Sequence, residues 1–147
     1  MPGSILLVED DPNDVELTLT ALTKNNLVNG VDVVSDGAQA LDYLFRRGAY
    51  ASREEGNPIV ILLDLKLPRV DGMEVLEQVK SDPHLKTIPV VILTSSREEH
   101  DLIRSYSTGT NAFVVKPVDF HEFVAAVREL GLFWAVLNQP PPGRASE

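Results

Sequence analysis

Five short apolar runs, each followed by a segment of helical period, constrain this chain more than any other feature. The runs are Ile5-Leu6-Leu7-Val8, Val31-Asp32-Val33-Val34, residues 59–63 (IVILL), residues 90–93 (VVIL) and residues 112–115 (AFVV). Each holds four or five residues, rich in Val and Ile, and several are apolar without alternation. Strands buried on both faces of a parallel sheet read this way. The first intervening segment opens with Asp11-Pro12, a capping acid before a proline suited to the first helical position, and places Val15, Leu19 and Leu22 at helical spacing. The second carries Leu41, Leu44 and Phe45, and the third Val75, Leu76 and Val79. The last, from Asp119, shows Phe120, Phe123, Val124, Val127, Leu130, Trp134 and Leu137. The pattern predicts an α/β fold: a doubly wound five-stranded parallel sheet with five helices.

A chain of 147 residues is the size of one domain. Residues 48–58 (GAYASREEGNP) are long and polar for a helix-to-strand connection and are expected to form a surface excursion. Residues 139–147 (QPPPGRASE) have nothing to bury and are expected to form a flexible tail beyond a domain of residues 4–138. With 13 basic and 22 acidic side chains the net charge is −9, which argues against non-specific binding to nucleic acid or to an anionic membrane. The chain has no cysteine, which excludes disulfides and thiolate chemistry. No apolar run approaches the ~18 residues of a membrane span, and the N-terminus turns acidic too early for a signal peptide. A cytoplasmic location is expected.

In open parallel sheets, ligands bind outside the carboxyl ends of the strands. Here the first strand ends in Glu9-Asp10-Asp11, the third in Asp64, the fourth in Thr94-Ser95-Ser96 and the fifth in Lys116-Pro117. One Asp after a strand is usually a helix cap or turn residue. Carboxylates arriving at one edge from separate strands repel one another, and a hard divalent cation such as Mg²⁺ offsets that. The acids after the first strand would repel a flavin-nucleotide phosphate, and no G-x-G-x-x-G follows it for a dinucleotide. His84, His100 and His121 stand isolated on polar segments and read as surface residues.

The motifs ILLVEDD, LLDLKLPRVDG, VVILTSS and FVVKP, in this order, resemble those of the bacterial response-regulator receiver domain, a flavodoxin-like fold. The resemblance implies Asp64 as phosphoacceptor, Asp10 and Asp64 as Mg²⁺ ligands, Glu9 acting through a metal-bound water, and Lys66 contributing its backbone carbonyl. It implies Thr94 and Lys116 as partners of the phosphoryl oxygens, and Thr94 with Phe113 as the switch pair. It also implies a cis peptide between Lys116 and Pro117. Lys66 and Ser96 are departures that bear on the lifetime of the phosphoryl group.

The ten residues after Leu137 are too few for an output domain, so signalling through protein contact is expected. The polar excursion and the GLFWAVLNQPPP ending resemble single-domain receivers that accompany bacterial phytochrome histidine kinases. A sensor histidine kinase is the implied partner. The last helical segment is apolar over more than the ~100° that one core contact needs, which points to a homodimer through Phe120, Val124, Phe133, Trp134 and Leu137. Two alternatives stand beside the phosphoacceptor: a haloacid-dehalogenase-like phosphatase and a receiver-shaped scaffold that is never phosphorylated. The phosphatase needs a second acid two residues after its aspartate, where this chain has Lys66.

Overall fold

The strands β1 (Ile5–Val8), β2 (Val31–Val34), β3 (Val60–Asp64), β4 (Val90–Thr94) and β5 (Ala112–Val115) form one parallel sheet in the order β2-β1-β3-β4-β5. The structure is a computed structural model that describes residues 4–23, 30–54, 56–94 and 112–129. Four α-helices lie within those residues: α1 (Pro12–Thr23), α2 (Gly37–Phe45), α3 (Gly72–Ser81) and α4 (Phe120–Glu129). The further helix expected between β4 and β5 lies outside the described residues, as do the continuation of the last helix past Glu129 and the tail.

Unbroken apolar strands arise because both faces of the sheet are covered. In β1, Leu6 and Val8 face a core built with Ala40, Leu41 and Leu44 of α2 and Val75, Leu76 and Val79 of α3. Ile5 and Leu7 face the opposite core, closed by Ala21 and Leu22 of α1 and Phe123, Ala126 and Val127 of α4. The two edge strands depart from this pattern: β5 alternates buried and half-buried residues, and β2 exposes Asp32 and Val33. A charged residue on an edge strand discourages pairing with another chain.

The helix starts follow the capping chemistry of the sequence. Asp11 accepts from the Asn13 and Asp14 amides, Asp36 from the Gln39 amide and Asp71 from the Glu74 amide. Asp11 is thus a cap, the ordinary role of an acid after a strand. Gly72 has a different task. A Cβ there would sit 2.5 Å from the Asp64 carbonyl oxygen, so only glycine lets α3 start against the end of β3.

The third strand runs one residue later than the apolar run suggests: pairing with β1 begins at Val60, opposite Ile5, and the β4 ladder carries it on to Asp64, opposite Leu93. The excursion at 48–58 lies at the surface as expected, but it is pinned. Arg53 lies over the Tyr43 ring at 4.2 Å and donates to the carbonyls of Tyr43 and Gly56, both at 2.9 Å.

Candidate functional site

Parallel register brings the ends of β1, β3, β4 and β5 to one edge. Val8 pairs with Leu63, Asp64 with Leu93, and Thr94 with Val115. The next residues along, Glu9 and Lys116, therefore arrive beside Asp64 and Thr94. The Lys116 amide donates to the Thr94 carbonyl at 2.7 Å, and the Lys116–Pro117 peptide is cis.

The Lys116 ammonium is the hub. It donates to Asp64 Oδ2 at 2.9 Å, to Asp14 Oδ2 at 3.0 Å and to Glu9 Oε1 at 3.1 Å. The other Asp64 oxygen, Oδ1, accepts from the Lys66 amide at 3.0 Å. Glu9 Oε2 accepts from the Asp11 amide at 3.2 Å. Glu9, Asp64 and Thr94 are buried, while Asp10 and the Lys66 side chain are exposed.

Positive charge is short in this pocket. Burial first, then the neighbouring Asp64, push the Glu9 carboxyl up to about 7 despite Lys116. Burial alone would lower the Lys116 ammonium, but its bonds to Asp64, Asp14 and Glu9 outweigh that and hold it above the ordinary lysine value. Carboxylate oxygens of Glu9, Asp10 and Asp64 lie within 4.8 Å of one another. A set made only of oxygens, with excess negative charge and one exposed member, suits a hard divalent cation. The Thr94 hydroxyl is buried and has no hydrogen-bond partner among the described residues. Such a group costs stability unless something arrives to bond it.

The structure thus brings together Glu9, Asp10, Asp64, Thr94 and Lys116, as the strand ends imply. Lys66 adjoins Asp64 through its backbone. Phe113 is half-buried in β5 opposite Ile92, on the α2–α3 side of the sheet. Phe120 and Val124 are half-buried on α4, whereas Phe133, Trp134, Leu137, Ser96 and His100 lie outside the described residues. Asp14 is the residue that strand ends do not reveal. It stands in the first turn of α1, where an acid ordinarily reads as a complement to the helix dipole.

Residues 5–128 match the sequence profile of a family described as the response regulator receiver domain. The solved structure of the bacteriophytochrome response regulator RtBRR is 64% identical, with a TM-score of 0.89 over 99% of this chain and 88% of its own. The response regulator Rcp1 of Synechocystis is 38% identical over 90% of this chain and 89% of its own. Its Mn²⁺-bound form has been solved and superposes with a TM-score of 0.72, at 37% identity over 91% of this chain and 95% of that one. A relative from Methanothrix harundinacea, named "Probable methanogenesis regulatory protein FilR2", is 39% identical over 95% of this chain and 88% of its own.

Proposed function

The chain belongs to the response regulator receiver family, whose members typically carry a phosphoryl group on an aspartate in two-component signalling, and from that premise we propose that Asp64 is its phosphoacceptor. One observation carries the assignment. Asp64 closes the central strand with an ammonium 2.9 Å from one oxygen and a buried, unpartnered threonine hydroxyl at the end of the next strand.

The donor is a phosphohistidine of a sensor histidine kinase. As an Asp64 carboxylate oxygen bonds to phosphorus, the P–N bond to the donor breaks and the imidazole leaves with its electron pair, taking up a proton. Asp64 is held for in-line attack by the Lys66 amide on Oδ1. Lys116 supplies an ammonium for the charge that develops on the transferring oxygens, and Thr94 a hydroxyl for one of them. Asp10 and Asp64, with Glu9 through water and the Lys66 carbonyl, would hold Mg²⁺, which would offset part of that charge when bound.

The product adds about −1.5 to −2 charge at Asp64. Thr94 then turns toward the new oxygens and Phe113 moves into the space, which repacks the surface around β5 and α4 for a partner. The names of two similar solved structures, the bacteriophytochrome response regulator RtBRR and the cyanobacterial phytochrome response regulator RcpA, support a phytochrome kinase as donor. A homodimer through the last helix accords with the half-buried Phe120 and Val124. A cytoplasmic location accords with the described residues, none of whose helices is long and apolar enough to cross a membrane.

Mass spectrometry after incubation with acetyl phosphate and Mg²⁺ tests the assignment. Wild type is expected to take one phosphoryl group and Asp64→Asn none. Sustained turnover of varied phosphate esters would indicate a phosphatase instead, and no adduct a scaffold.

A further inference from the structure

Lys116 has one partner that the strand ends do not supply. An ammonium has three N–H donors, and Lys116 places them on Asp64, Asp14 and Glu9 at 2.9, 3.0 and 3.1 Å, which exhausts them. Asp64 and Glu9 belong to the oxygen cluster that suits a cation. Asp14 comes from the first turn of α1 and stands outside that cluster.

A phosphoryl group esterifies one Asp64 oxygen and draws the ammonium from that carboxylate to its own three acceptor oxygens, a movement that the two other bonds of Lys116 resist. Those two carboxylates differ in what release would cost. The Glu9 side chain is 0% exposed, so water cannot replace the ammonium there. The Asp14 side chain is 30% exposed, and water can. The Asp14 bond is therefore the one given up. Asp14 also carries the same sign of charge as the incoming group, so it opposes the phosphorylated state both by holding Lys116 and by repulsion.

Resting on the phosphoacceptor reading above, we propose that Asp14 is a positioning residue that holds the Lys116 ammonium in the unphosphorylated chain and competes with the phosphoryl group for it. The balance between the two states is then set partly from α1, by a side chain that touches neither phosphorus nor metal.

Calorimetric titration of the full chain with beryllofluoride in saturating Mg²⁺ provides the test, with Asp14→Asn and Glu16→Gln compared against wild type. Glu16 is an exposed acid on the same helix, and Lys116 has no donor left for it. Asp14→Asn is expected to bind beryllofluoride at least about threefold more tightly, the scale of one partly exposed ion pair. Glu16→Gln should show a clearly smaller gain, and Asp14→Glu should stay near wild type. Asp14→Ser, which keeps a small polar side chain in the first turn, should repeat the Asn result if the Asn variant folds poorly. Equal gains in Asp14→Asn and Glu16→Gln would mean a general field effect and overturn the proposal, as would an Asn variant that binds no better than wild type. Wild type that binds no beryllofluoride would instead remove the phosphoacceptor reading itself.

Discussion

Two polar clusters, each organised by one cation, sit on different parts of this domain and behave in opposite ways. Arg53 spreads its guanidinium over the Tyr43 ring and donates to the carbonyls of Tyr43, Glu54 and Gly56. Tyr43 in turn donates to Asp32 at 2.6 Å, tying α2 to the edge strand. Lys116 gathers three carboxylates and still leaves Glu9 holding a proton up to about 7. Both clusters contain a buried polar atom with no partner among the described residues, Arg53 Nη2 in one and Thr94 Oγ1 in the other. An unpaired atom alone therefore does not mark a site. What separates the two is charge: the first cluster is built mostly from neutral carbonyls and a ring, the second from more acid than its cation can match.

That difference can be attacked from both sides. The largest effect is expected from pH in the metal-free chain. Glu9 keeps its proton up to about 7 when folded but loses it near the ordinary 4.5 when unfolded. Its contribution to stability is present below the lower value and is lost as pH rises through the higher one. A divalent cation displaces that proton, so apparent Mg²⁺ affinity should climb with pH over the same window. Urea midpoints without metal and Mg²⁺ titrations on either side of neutrality measure the two trends, and flat profiles would remove the charge excess from the picture.

Next in size is Arg53→Ala, which removes three hydrogen bonds and a ring contact and should cost about 2 kcal/mol in urea unfolding. Phosphorylation by acetyl phosphate should be unchanged, because the cluster is structural. Thr94→Val comes last. It replaces an unpartnered buried hydroxyl with a methyl of the same shape, so the chain should gain up to about 1 kcal/mol. The NMR changes that beryllofluoride produces in wild type should, in this variant, fail to reach Phe113. A mutant that is more stable but no longer switches would separate the second cluster from the first most cleanly.

The reach of sequence reasoning follows the same division. The strands and the residues at their ends were legible, because an apolar run that stops at an acid, a hydroxyl or a lysine is a local signal. Glu9, Asp64, Thr94 and Lys116 all sit where that signal puts them. Asp14 was not legible, since an acid in a first helical turn already has a sufficient explanation in the helix dipole. Its bond to Lys116 spans 102 positions and exists only in three dimensions. The Arg53 pin escaped for a similar reason: nothing in GAYASREEGNP has a period, and its anchor is a ring on the preceding helix. The start of β3 moved by one residue because strand ends are set by neighbouring ladders as well as by hydropathy.

The site draws on residues far apart in the chain, with Lys116 reaching back 107 positions to Glu9. Contacts of such separation form late, after the loop between them has been closed. A nascent chain that has not yet made β5 carries Asp64 but lacks its ammonium, and a chain that has lost the β4–β5 pairing lacks it again. Competence to receive a phosphoryl group is thus a property of the finished sheet. On the proposed assignment, partly folded copies would therefore draw no phosphoryl groups from a donor.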